Sequence, residues 1–250
     1  MNLEICVDSV ESAIAAEAGG AQRVELCSGL AEGGITPSVG LLRAVRARIG
    51  IGLHVMIRPR GGDFLYSEDE LEIMREDIAV AAQYGADGVV LGLLSANGDV
   101  DLRRTRDLVE LARPMQVTFH RAIDMSCDLE AALEDSMRAG ANRILTSGAA
   151  ASAMQGSERI ARLVELAGEQ IQVMVAGGVR PENVAQIADE THANHFHAAL
   201  RKPVASLMQH QNRTAQLGAP DSDDYVRYVV RLEDVRSLRQ AMDAVERVMT

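Results

Sequence analysis

Short apolar runs alternate with longer stretches whose apolar positions recur at helical spacing. The runs at Leu3–Cys6, Arg23–Cys27, Leu53–Arg58, Gly88–Gly92, Gln116–His120, Arg143–Thr146, Ile171–Ala176 and His195–Ala198 read as strands. The pairs Gly20-Ala21, Gly85-Ala86 and Gly140-Ala141 each close a helical stretch and precede an apolar run. Glycine suits the left-handed cap that ends a helix. Helix starts are marked by Asp8 with Glu11 and Ser67 with Glu70 at capping-box spacing, by Thr36-Pro37, and by Asp128.

Eight strands, each followed by a helical or turn-plus-helix segment, predict an α/β chain whose parallel sheet closes: a (β/α)₈ TIM barrel, one domain over 1–250. An open doubly wound sheet would carry a GxGxxG or P-loop after its first strand, and Cys6-Val7-Asp8-Ser9 is neither. Polar residues 209–224 predict a surface loop. After them Val235, Leu238, Met242, Val245 and Met249 predict a helix over 232–249 that closes the barrel.

Composition narrows the function classes. The net charge of −11 argues against a nucleic-acid partner, which would need a basic footprint. No basic-then-apolar leader and no apolar run of about 20 residues is present, so neither export nor membrane insertion is expected. Cys6, Cys27 and Cys127 form no CxxC and no even framework, which fits a reducing, cytoplasmic setting.

Strand side chains alternate faces, and the outward face of a barrel strand must be apolar beneath its helices. Alternation therefore sends Glu4, Cys6, Glu25, Cys27, His54, Met56, Arg58, His120 and His197 inward. Charges are costly there unless paired, so the set reads as a site, or else as a buried network joining Glu4 or Glu25 to Arg58.

The loops after the strands add candidates. Arg58-Pro59-Arg60-Gly61-Gly62 reads as an anion clamp, with guanidinium forks beside glycines that let backbone approach. Ser147-Gly148 and Gly177-Gly178 are small-residue turns of the kind that present N–H groups to phosphate. His120, Arg121 and Asp124 cluster after the fifth strand, either for chemistry or as an Arg–Asp pair ordering the loop.

The segments EIC, RVELC, EGGITPS, IRPRGGDF, FHRAIDM, RILTSG and GGVRPENV occur in this order, and together they resemble the CutC copper-homeostasis family. The resemblance implies a cytoplasmic, often dimeric (β/α)₈ barrel linked to copper tolerance and Cu(I). The chain departs from the family in having Ser126 between Met125 and Cys127. Cu(I) favours thiolate and thioether donors, which points to Cys6, Cys27 and Met56. The expected partner is a small ligand: a copper ion or, on a second reading, a small anionic substrate. On that reading Arg58, Arg60, Gly61, Gly62, Arg121, Ser147, Gly148, Gly177, Gly178 and His197 bind, and Glu4, Glu25, His120 and Asp124 move protons. A hard divalent cation held by Glu4, Glu25 and His120 is a variant of the same reading.

Overall fold

A computed structural model describes residues 1–212, 214–215, 217 and 223–249, with side chains described through 247. Eight parallel strands close a barrel in sequence order. They are β1 (Asn2–Val7), β2 (Arg23–Leu26), β3 (Gly52–Met56), β4 (Gly88–Leu91), β5 (Gln116–Phe119), β6 (Arg143–Thr146), β7 (Gln172–Val175) and β8 (His195–Ala198). β8 pairs back onto β1 through Glu4 opposite His197. Helices α1 (Val10–Ala18), α2 (Val39–Arg46), α3 (Glu68–Gln83), α4 (Leu102–Ala112), α5 (Leu129–Ala139), α6 (Ser157–Ala167) and α7 (Val184–Thr191) follow the first seven strands.

The main apolar core is the layer between sheet and helices. Outward residues such as Leu3, Ile5, Val24, Leu26, Leu53, Val117 and Phe119 are buried there with Leu71, Ile78, Leu133 and Leu163 from the helices. Each such side chain contributes about 1.5–3 kcal/mol. Inside the barrel, apolar residues form only two small clusters: Cys6, Cys27, Met56 and Val90, and Leu145, Met174 and Ala176. The rest of the lumen is polar.

Gly20, Gly85 and Gly140 adopt φ of +97°, +76° and +90°, as helix-ending glycines should. Ser67 and Glu70 form the reciprocal capping box, and Asp128 caps α5. Two helix starts differ from expectation. Ser9, rather than Asp8, caps α1 by accepting the Ser12 N–H, and Ser38, rather than Thr36, caps α2. In both cases the true cap lies one or two residues on, where an extended residue sits next to the first helical one.

The larger difference lies after β8. Residues 201–205 and 226–230 pair as an antiparallel hairpin, β9 (Arg201–Ala205) and β10 (Val226–Val230). It packs on α1, with the Val230 N–H donated to Ser12 Oγ at 3.1 Å and Arg227 paired with Glu11. Pro203 and three exposed positions in β9 hide this strand from pattern reading. The expected loop over 209–224 falls partly outside the described residues. α8 (Leu232–Met249) packs against α7 and α1, burying Val235, Leu238 and Met242. No helix among the described residues is long and apolar enough to cross a membrane.

Candidate functional site

The alternation argument holds in the lumen. Glu4, Glu25, His54, Arg58, His120, Cys6, Cys27 and Met56 are all buried, and His197 is 12% exposed. They sort into two levels.

At the deeper level Glu4 is fully buried and accepts from Arg23 Nε and, at 2.7 Å, from His197 Nδ1. Arg58 is not its partner. Arg23 precedes Glu25 by two residues on β2, so the same alternation places it inward. Arg143 at the start of β6 is the other lumenal cation. It donates to Gln116 Oε1 at 2.6 Å and Thr118 Oγ1 at 3.1 Å, and stands 3.4 Å from His54 Nδ1. Burial works against ionisation of Glu4, but Arg23 and His197 hold its carboxyl well below the usual range. Burial likewise opposes charge on His197, yet Glu25, Cys6 and Glu4 raise it well above an ordinary histidine.

Above this lies a cavity of about 740 Å³ at the C-terminal ends of the strands, where TIM-barrel sites sit. Cys6, Glu25, Met56, Arg58, His120 and His197 form its floor, and Phe64, Leu65, Leu94 and Met125 its rim. Burial pushes the Glu25 carboxyl well above its usual range; His197, 3.8 Å away, opposes this. Glu25 Oε1 has no hydrogen-bond partner among the described residues. His120 Nδ1 accepts the Ala122 N–H at 3.2 Å, which leaves the ring proton on Nε2, and that atom has no partner among the described residues. Burial and the nearby Arg58 charge bring His120 down to about 3. His54 is also brought to about 3, by burial.

Two glycines on β4 and its exit create room for these rings. A Cβ on Gly88 would lie 2.5 Å from His54, and one on Gly92 would lie 2.5 Å from His120. Neither glycine has a positive φ. Space, not backbone freedom, requires them.

His54 and His120 stay neutral in the fold but ionise near 6.5 when unfolded. Their contribution is complete above pH 6.5 and is lost as pH falls toward about 3. His197 acts oppositely, its share being lost as pH rises through its raised folded value. Thermal midpoints are therefore expected to drop between about pH 6.5 and 4. A flat profile would mean that the two rings take up protons without opening the barrel.

The sulfur residues also converge. Cys6 Sγ and Cys27 Sγ are 3.8 Å apart, and Cys27 Sγ is 3.4 Å from Glu25 Oε2. Hydrogen bonding from Cys27 and His197, against burial, lowers the Cys6 thiol to about 5, while Cys27 is raised. Met56 and Cys27 both pack on Gly34. Cys127 is exposed and apart, with its thiol 3.1 Å from Asp99 Oδ1.

The expected anion clamp is not assembled. Arg60 does not line the cavity. Its guanidinium is committed to Glu70, Asp63 and the carbonyls of Gly61, Asp63 and Leu65. The turn after β6 already holds an anion: Asp124 accepts from Thr146 Oγ1 (2.6 Å), the N–H groups of Ser147 and Ala149, and Arg121. Asp124 thus orders this loop, and it does so while lining the cavity beside Arg121. The Gly148 N–H goes to Thr146, and the Gly177 carbonyl accepts from Ala153; neither these glycines, Ser147 nor Gly178 lines the cavity. Gly62 does line it, and its carbonyl accepts from Arg58. The hard-cation triad also changes. His197, not His120, lies with Glu4 and Glu25, and Glu4 is already engaged by Arg23.

Comparison with known proteins decides the family. The CutC family profile matches residues 1–202. The chain belongs to the CutC family. A CutC family protein of Chromobacterium violaceum is 52% identical over 96% of this chain and 98% of its own length. The human copper homeostasis protein cutC homolog is 47% identical over 95% of this chain and 86% of its own. A CutC crystal structure from Streptococcus agalactiae superposes with a TM-score of 0.75 at 34% identity, covering 79% of this CutC chain and 97% of the other. A Pyrococcus furiosus thiamine phosphate pyrophosphorylase, at 18% identity and a TM-score of 0.60, shares the fold alone.

Proposed function

We propose that this CutC chain binds Cu(I) at the buried pair Cys6 and Cys27, with Met56 beside them, and serves copper homeostasis in the cytoplasm. The observation that carries the reading is the 3.8 Å separation of two reduced, buried sulfurs, Cys6 on β1 and Cys27 immediately after the neighbouring β2. Two metal–sulfur bonds of about 2.3 Å can bracket such a gap at a bent angle. The donor chemistry suits a soft monovalent ion. Metal binding requires thiolate, and the lowered Cys6 thiol supplies one near neutral pH. The copper-homeostasis names of the mammalian relatives point the same way.

The test is anaerobic titration of reduced protein with Cu(I) against a colorimetric chelator. One ion per chain is expected, with affinity lowered at least about tenfold in Cys6→Ala and in Cys27→Ala and less in Met56→Leu. Unchanged uptake by a folded Cys6→Ala/Cys27→Ala protein would refute the reading.

A further inference from the structure

Arg58 is a buried cation that lacks a counter-charge. It is 5% exposed, and no carboxylate among the described residues lies within 4 Å of its guanidinium. Nη1 donates to the carbonyls of Glu32 (2.7 Å) and Gly34 (2.8 Å), and Nη2 to that of Gly62 (2.8 Å). These neutral acceptors and the adjoining Tyr66 phenol leave the charge uncompensated, and Nε has no acceptor in hydrogen-bond geometry among the described residues. An isolated charge in such a place costs several kcal/mol. The other cations on the cavity wall differ: Arg121 is paired with Asp124, and His197 with Glu4. The phenol of Tyr66, close to Arg58, is kept neutral by burial.

The second unfilled donor on this wall is His120 Nε2–H. Phe64 ties the two together, its ring lying 5.0 Å from the His120 ring and 5.1 Å from the Arg58 guanidinium carbon. Arg58 and His120 thus flank one aromatic side chain, and all three residues line the cavity of about 740 Å³. The remaining lining combines the apolar Leu65, Leu94 and Leu145 with Glu32 and Asp63 toward the opening and the Arg121–Asp124 pair. Buried donors without partners are rare in folded proteins, and two on one cavity wall call for an acceptor from outside.

We propose that the mouth of the barrel is a small-molecule site for a compound bearing one oxyanion, carboxylate or phosphate, on an apolar body. The oxyanion lies against the Arg58 guanidinium and the His120 ring, both of which line the cavity, and the body packs on Phe64 and the leucines. This site does not rest on the copper reading, because none of its three recognition residues is a sulfur donor and it operates in metal-free protein.

Calorimetric titration of metal-free protein with phenylacetate, phenyl phosphate and neutral phenylacetamide tests it. At least one of the two anions is expected to bind at least about tenfold more tightly than the amide, and which one binds separates carboxylate from phosphate recognition. His120→Ala and Arg58→Lys are each expected to weaken that binding about tenfold or more. The His120 Nε2 resonance should shift on ligand addition in the wild type. If Arg58→Lys does not fold, His120→Ala and the resonance carry the test. Equal binding of acid and amide, binding unaffected by His120→Ala, or no binding of either anion at about 10 mM would overturn the proposal.

Discussion

Replacing Glu4 by glutamine is expected to destabilise the barrel by about 3–5 kcal/mol, the cost of breaking a buried ion pair from one side. For a chain of this length that corresponds to a fall of roughly 6–20 °C in thermal midpoint. Glu4 is fully buried and is the carboxylate that Arg23 and His197 share. Glutamine keeps the volume and an acceptor but leaves Arg23 without its ion-pair partner and removes one of the anions facing a protonated His197. The folded carboxyl lies well below its usual 4.5, so its stabilising share is present above that value and disappears as pH falls through the lowered one. The difference between the two proteins should accordingly persist at neutral pH and narrow only in strong acid. A midpoint within about 2 °C of wild type at neutral pH would show that the lumenal cations are relieved in some other way.

The second large effect is expected at Asp124→Ala. The Asp124 side chain is 4% exposed and gathers the Thr146 hydroxyl, two backbone N–H groups and the Arg121 guanidinium. Removing it strands several buried donors at about 1–3 kcal/mol each, less whatever water can restore. Ala149, one of the donors, sits at φ +51°, where an alanine is strained, and the carboxylate helps hold it there. A loss of about 2–4 kcal/mol is expected, with faster amide exchange at Ser147 and Ala149. Asparagine should rescue only in part, since its amide offers one acceptor oxygen where two are used. Exchange rates equal to wild type in the alanine variant would count against the carboxylate as the organiser of this loop.

The expectations that failed share a cause. Arg60 and Ser147-Gly148 have the residue types of an anion site, but their donors are used by carboxylates, carbonyls and a hydroxyl of the same or an adjoining loop, and Gly177 does not line the cavity. Sequence types state what a group can bind and not whether a partner has already arrived. Arg23 and Arg143 were legible in principle, because two-residue alternation from Glu25 and Leu145 turns them inward. Hydrophobic patterning favours apolar markers and passes over charged residues at strand starts. Phe64 belongs to a recognisable motif, yet its contact with both Arg58 and His120 follows from a loop path that no local pattern specifies.

The order of the eight barrel strands and their helices, the closed parallel barrel and the inward set from Glu4 to His197 were determined by the chain alone, because burial beneath a ring of helices imposes a period of two on every barrel strand; the β9–β10 hairpin was not. Helix-ending glycines and the caps at Ser67 and Asp128 were determined as well, since these depend on residues next to one another, whereas the caps of α1 and α2 fell one or two residues from the expected ones. Only the folded barrel decided which inward groups meet: Glu4 with Arg23, Cys6 with Cys27, Asp124 with the turn after β6, and Arg58 with no anion among the described residues. Closure joins β1 to β8 across nearly two hundred residues, and pairing of charge and sulfur is a matter of distance in space, which one-dimensional spacing does not carry.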